Sequence, residues 1–108
     1  MSDLSSTFAA LGDPSRFAIV ERLLREGALH AGALHDGVSF SAPALSRHLK
    51  VLRKAGIIEQ RVDKQKRIYS VRPQAVQAIS SWTLSHREFW ENSLDRLELA
   101  LMEEKNRK

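Results

Sequence analysis

The chain has 108 residues, 17 Lys plus Arg against 13 Asp plus Glu, a formal charge of +4 and no cysteine. That length suits one compact domain, and 43% hydrophobic with 28% charged residues is the composition of a folded globular protein, too apolar for intrinsic disorder. Without cysteine there is no disulfide framework, thiolate metal site or cysteine nucleophile. No apolar run approaches the roughly 18 residues that span a bilayer, and the N-terminal stretch lacks a basic start followed by an apolar core; a cytoplasmic location with no membrane partner is expected.

The modest net charge is unevenly placed. Arg47, Lys50, Arg53, Lys54, Arg61, Lys64, Lys66, Arg67 and Arg72 fall between Ser41 and Arg72 with only Glu59 and Asp63 to oppose them, so this segment carries +7 and the rest of the chain −3. Such a concentrated positive field is the footprint of a nucleic-acid-binding segment, although a solvated surface with uneven charge would look the same until local structure is considered.

In chain order, Asp3 or Ser2 caps a first helix whose apolar Leu4, Phe8 and Leu11 recur at i, i+4, i+7 before Gly12. Asp13-Pro14 opens a second: the carboxylate accepts from free backbone N–H groups, and Pro14 stands at the first helical position, where its missing N–H costs nothing. Phe17, Val20, Leu23 and Leu24 supply one apolar face, and Gly27 ends it. A short third helix is predicted around Ala31 to Asp36, closed by Gly37.

The fourth helix carries the clearest signal. Ser41 is its N-cap, Pro43 lies in the first turn, Leu45, Leu49 and Leu52 repeat at i, i+4, i+7, and Gly56 terminates it. Ala42, Pro43, Ser46, Arg47, Lys50, Arg53 and Lys54 lie away from that stripe or flank it. Two short helices joined by a tight turn, the second presenting small polar and basic residues from its first turns, form a helix-turn-helix. Ile57 to Arg61 and Arg67 to Arg72 then read as two strands around the turn-prone Asp63-Lys64-Gln65. Arg61, Lys64, Lys66 and Arg67 at the tip have no core to bury and suit a phosphate backbone. A helix-turn-helix followed by a charged hairpin is a winged helix, so the fold class is mainly α with a small β-hairpin (α+β).

From Pro73 to about residue 103 the pattern is helical, with Val76, Ile79, Trp82, His86, Trp90, Leu94, Leu97 and Leu101 at steps of three and four and Phe89 adjacent. About 30 residues at 1.5 Å each make a rod of roughly 45 Å, longer than a small domain covers. An aromatic and leucine stripe of this length points to a homodimer seam of terminal helices, with Leu4 and Phe8 contributing. A helix folded back on its own domain is the alternative, and a break near Ser80-Ser81 fits the pattern. Glu103 to Lys108 has nothing to bury and is expected to form a disordered tail.

The run Ser41-Ala42-Pro43-Ala44-Leu45-Ser46-Arg47-His48-Leu49-Lys50-Val51-Leu52, continued by Arg53-Lys54-Ala55-Gly56-Ile57-Ile58, resembles the ArsR (ArsR/SmtB) family of bacterial winged-helix repressors. Phe8-Ala9-Ala10-Leu11-Gly12-Asp13-Pro14-Ser15-Arg16 is similar to that family's N-terminal signature, and the basic hairpin ending in Ile68-Tyr69-Ser70-Val71 to its wing. The resemblance covers roughly residues 4 to 72. It implies a single domain over 1–108, with a reading helix at about 41–55, a wing at about 57–72 and a C-terminal dimerisation helix at about 73–103. It also implies a homodimer that occludes a promoter. Ser46, Arg47 and His48 fall at positions that face DNA in the family, and Pro43 where the first turn meets it. Ala42 stands where many members carry Gln, whose amide pairs bidentately with adenine, so operator sequence does not transfer from relatives.

The expected DNA contacts are therefore Ser41, Ala42, Pro43, Ser46, Arg47, His48, Lys50, Arg61, Lys64, Lys66 and Arg67. The expected dimer seam is Leu4, Phe8, Trp82, His86, Phe89, Trp90, Leu94, Leu97 and Leu101. Metal-sensing members of the family use a cysteine motif before the reading helix, or Asp and His ligands on the last helix. Leu29 to Gly37 contains no cysteine. On the last helix His86, near Glu88, Glu91 and Asp95, has no companion histidine at i+3 or i+4, and His30 and His35 are five apart; solvated or capping histidines are expected. No cofactor, metal or catalytic residue is expected. There is no phosphate-binding glycine loop, nucleophile elbow or His-rich zinc motif, so an enzyme is not expected. The expected partners are a double-stranded DNA operator and a second copy of the chain. The leading function is a sequence-specific dimeric repressor at an inverted-repeat operator. A metal-responsive repressor with ligands on the C-terminal helix and a winged-helix protein-interaction module stand as alternatives, and a small-molecule or protein effector is left open.

Overall fold

The structure, a computed structural model, describes residues 3–107. Its elements are α1 (Leu4–Leu11), α2 (Pro14–Glu26), β1 (Leu29–His30), α3 (Ala31–His35), α4 (Ala42–Lys54), β2 (Ile58–Asp63), β3 (Lys66–Val71), α5 (Pro73–Ser85) and α6 (Arg87–Asn106). The helix starts are where the capping residues put them. The Asp3 carboxylate accepts from the Ser6 N–H at 2.7 Å; Ser2, the other candidate cap, lies outside the described residues. Asp13 accepts from the N–H groups of Ser15 and Arg16 at 2.8 and 3.1 Å, with Pro14 as the first helical residue. Ser41 Oγ accepts from the Ala44 N–H at 3.2 Å.

Helix α4 ends in a Schellman motif, in which the Ile57 N–H donates to the Leu52 carbonyl and the Gly56 N–H to that of Arg53, both at 3.0 Å. Gly56 adopts φ 77°, a left-handed value that a side chain would disfavour. The motif drops Ile57 beside Leu52 in the core and turns the chain directly into β2, which sets the wing's position relative to the reading helix.

The core is formed by Ile19, Val20, Leu23, Leu34, Leu45, Leu49, Leu52, Ile57, Ile58 and Tyr69, with Ala10 and Ala55 at its edges. All three leucines predicted to anchor α4 are buried. On α2 the buried face is Ile19, Val20 and Leu23, whereas Phe17 and Leu24 are exposed. On α1 the buried residues are Thr7 and Ala10, small enough for close approach to α2, while Phe8 remains 42% exposed. Both faces are rotated from the expected ones.

The hairpin of β2 and β3 is antiparallel with Ile58 opposite Val71, Gln60 opposite Tyr69 and Asp63 opposite Lys66, leaving Lys64-Gln65 as a two-residue connection. A third strand, unanticipated in sequence, completes the sheet in the order β1-β3-β2: Leu29 pairs with Tyr69 and His30 with Ile68. This ties the segment after α2 to the wing.

The C-terminal stretch is not one rod over 73–103. It divides into α5 and α6 at His86, whose φ −106° and ψ 24° leave the helical region, rather than at Ser80-Ser81. Hydroxyls explain the site of the break: Thr83 Oγ1 donates to the Ile79 carbonyl at 3.0 Å and Ser85 Oγ to that of Trp82 at 2.7 Å, competing with the backbone ladder over one turn. Helix α6 runs on to Asn106, so the segment expected to be a disordered tail from Glu103 is helical through Asn106; its Glu and Lys residues are good helix formers. Lys108 is outside the described residues. The chain forms two compact units, one through Ala78 and one from Ile79.

Candidate nucleic-acid interface

Burial of Leu45, Leu49 and Leu52 fixes the rotation of α4 and so decides which of its residues meet solvent. Ser41, Ala42, Pro43, Ser46, Arg47, Lys50, Arg53 and Lys54 are all exposed. In the wing, Arg61, Lys64, Lys66 and Arg67 are exposed as well. Among the described residues the ion pairs are made by Arg16, Arg22, Arg25 and Arg87, and no Lys or Arg between 41 and 72 has a carboxylate within 4.0 Å. Eight exposed cations thus stand on the reading helix and hairpin, and half-buried Arg72 just past β3, without internal compensation, and their field is free to act on an external polyanion.

Lys64 holds φ 59°, a left-handed conformation for which glycine or asparagine is the usual choice. A lysine kept there at the cost of strain puts a cation at the outermost point of the hairpin, and strain of this kind concentrates at functional sites.

His48 departs from the exposed group. It is half-buried, and its ring lies edge-on to Phe40 with centroids 5.4 Å apart. The Asp13 carboxyl is held below its ordinary range first by the Arg16 backbone N–H, with the charge of Arg16, the Ser15 N–H and the charge of His48 acting in the same direction against desolvation. His48 therefore faces the loop before α4, on the flank of the exposed stripe that carries Ser46 and Arg47.

The turn between α3 and α4 is held by residues that sequence reading did not select. Arg22 Nη1 donates to the carbonyls of Leu34 and Asp36 at 3.3 and 3.2 Å, while its Nε pairs with Glu26 at 2.8 Å. His35 Nε2 lies 3.0 Å from the Phe40 carbonyl. These contacts span the turn from α2 to the residue that touches His48, so they set the entry angle of the reading helix. An arginine four residues before Glu26 reads in sequence as a solvated helix pair, which hides this role.

The remaining histidines are engaged elsewhere. His30 Nδ1 accepts from the Ala33 N–H at 3.2 Å as the N-cap of α3, and the His86 ring lies edge-on to Trp82 with centroids 5.3 Å apart. Among the described residues no group of three or more His, Cys, Asp or Glu could hold a metal ion, and no helix is long and apolar enough to cross a membrane.

Of the residues assigned to a dimer seam, Leu4 is half-buried and Phe8 exposed. Neither α5 nor α6 buries any residue within the chain. Trp82, Phe89, Trp90, Leu94, Leu97 and Leu101 are between 42% and 65% exposed, and Leu84, Leu99 and Met102, which the sequence reading left out, are exposed too. His86 is exposed at the break between the two helices.

Comparison with known proteins agrees with this geometry. A protein-family profile described as a helix-turn-helix domain matches residues 11–61. The chain is 38% identical over 85 residues to the HTH-type transcriptional regulator Rv2034 of Mycobacterium tuberculosis, covering 79% of this chain and 76% of that protein. It is 30% identical over 91 residues to the transcriptional repressor SdpR of Bacillus subtilis, covering 84% of this chain and all of that protein. A crystal structure of an ArsR family transcriptional regulator is similar with a TM-score of 0.74 at 27% identity, covering 82% of this chain and 96% of the other.

A three-stranded winged helix whose reading helix and wing carry unpaired cations is a helix-turn-helix, DNA-binding transcriptional regulator. Within that class, the chain belongs to the ArsR family.

Proposed function

We propose that the protein is a homodimeric repressor that binds an inverted-repeat operator, with the first turns of α4 in the major groove and the wing along the backbone or in the minor groove. The observation that carries this reading is the exposed, uncompensated set of eight cations on α4 and the hairpin, with half-buried Arg72 just past β3. Repression is favoured by the likeness to SdpR, which is itself named a repressor. Dimerisation is supported by α6, where Trp90, Leu94, Leu97 and Leu101 form an i, i+4, i+7, i+11 stripe about half or more exposed in the single chain. A second copy covers such a stripe with its own, and a twofold axis then spaces the half-sites by one helical turn, about 34–36 Å.

Selection of bound duplexes from random DNA, with sedimentation of the same protein, tests the reading. The expected result is a twofold-symmetric site and a dimer that becomes a monomer in L94E/L101E, with operator affinity lost and the helical signal of the winged helix kept. A monomeric wild-type chain, or a selected site without symmetry, overturns the homodimer. Absence of salt-sensitive DNA binding would leave the basic face incidental, as in a protein-interaction module.

A further inference from the structure

The C-terminal half of α4 and the base of the hairpin enclose a notch of about 510 Å³ whose lining includes Lys50, Arg53, Lys54, Gln60 and Arg72, with Glu59 as its one carboxylate. Among the described residues none of its four cations is within 4.0 Å of a carboxylate, Glu59 included. Gln60 Oε1 is buried there without a hydrogen-bond partner. That atom is closed off from the notch, so the donors the notch presents are those of its four cations.

The notch is continuous with the reading face. Pro43, Arg47, Lys50 and Lys54 follow one another at steps of four, three and four, so they form one stripe along α4, and its last two members line the notch. The eleven residues from Pro43 to Lys54 span about 16 Å along the axis. The major groove of B-DNA is about 12 Å wide, so a helix lying across it with its first turns at the base edges carries its last turn past the groove to the phosphate rim. Arg53 on α4 and Arg72 just past β3 both line the notch, and guanidinium groups offer the forked donors that a phosphate accepts.

We propose that this notch is a phosphate-binding site filled by a backbone phosphodiester at the far edge of the major groove, with Arg53 and Arg72 as its principal ligands. This rests on the DNA-binding reading and extends its contact surface beyond the residues singled out in sequence. The test is the salt dependence of binding to a random-sequence duplex, measured by fluorescence anisotropy with the full chain. Each phosphate contact contributes about 0.9 to the slope of log affinity against log salt, so R53Q/R72Q, which removes both ligands of one phosphate, flattens it by about 0.9 per protomer. Between 50 and 200 mM salt the variant then loses about 3.5-fold less affinity per protomer than the wild type. R53Q alone gives about half the change in slope, which guards against a folding defect in the double variant, and thermal unfolding of both should match the wild type.

A wild-type chain without salt-sensitive binding overturns the DNA-binding reading itself. Wild-type binding with an unaltered slope in R53Q/R72Q overturns the notch alone. Titration of inorganic phosphate followed by NMR separates the two sources of the anion: signals of Arg53, Gln60 and Arg72 that shift with phosphate and no longer respond once duplex is bound support the backbone phosphate, whereas the same response with duplex in place assigns the notch to a free anion and overturns the proposal.

Discussion

Replacing Lys66 and Arg67 by alanine removes two wing cations at no expected cost to the fold. Both are exposed, neither has a carboxylate within 4.0 Å, and they face Asp63 and Val62 across the hairpin, so no buried contact is lost. Stability should change by less than about 0.5 kcal/mol. If each side chain neutralises one phosphate, the salt slope falls by about 1.8 per protomer and about 3.6 per dimer. A rise from 50 to 200 mM salt, fourfold, then costs the variant about a hundredfold less affinity than it costs the wild type. The loss at low salt should be equal on selected and random duplexes, because phosphate contacts carry no sequence information. Anisotropy titrations at five salt concentrations on both duplexes measure each quantity. An unchanged slope, or a loss confined to the selected duplex, refutes the assignment of the wing to the backbone.

Leu52→Ala empties the most enclosed position of the core, where the side chain is 0% exposed, and should cost about 2–5 kcal/mol, seen by calorimetry as a fall in Tm of at least about 10 °C. Lys64→Gly relieves the left-handed strain at φ 59° while removing a wing cation, so the hairpin should be no less stable and the salt slope should fall by about 0.9 per protomer; chemical denaturation and anisotropy report the two effects separately. Asp13 is ionised more readily in the folded chain than its usual value of 3.8, so its contribution to stability is complete above that pH and is lost as pH falls through the lowered value. Asp13→Asn keeps a capping acceptor without the charge, and the difference in urea midpoint between it and the wild type should be present at pH 7 and shrink towards pH 3.

The elements legible in sequence are those with one unambiguous apolar stripe and a cap at each end. Helix α4 offers only Leu45, Leu49, Leu52 and the flanking Val51 as large apolar residues, so a single rotation buries them. Helix α2 carries Phe17, Ile19, Val20, Leu23 and Leu24 around more than half its circumference, and only tertiary packing selects Ile19 over Phe17. Strand β1 has two residues, too few for any alternation to show, and exists because β3 offers Leu29 and His30 an edge. The break at His86 depends on hydroxyls of Thr83 and Ser85 reaching back to carbonyls, which a pattern of apolar spacing does not register. In the site, charge was legible because it is a property of residue type. The clamp of Arg22 and His35 on the turn was not, since it depends on carbonyls that approach only in the folded chain.

These geometries also constrain how such a reading helix can select sequence. Ala42, Pro43 and Ala44 bring no side-chain donor or acceptor to the first turn, and Ser41 Oγ already accepts from the Ala44 N–H in capping the helix. His48 is turned towards Phe40. On the exposed front of α4 this leaves Ser46, which pairs with any base, and Arg47, whose fork matches the two acceptors of guanine. Among the described residues Arg47 also has no carboxylate within 4.0 Å to hold it away from DNA. Under the proposed reading, direct base discrimination concentrates at Arg47, while the surrounding cations supply affinity without preference. Selectivity beyond that one contact then has to come from methyl contacts at Ala42 and from the DNA shape that lets the wing and the far end of α4 reach phosphates together. Arg22 and His35 matter to the second of these, because a change in the entry angle of α4 alters which phosphates the wing and the last turn of α4 can meet at once.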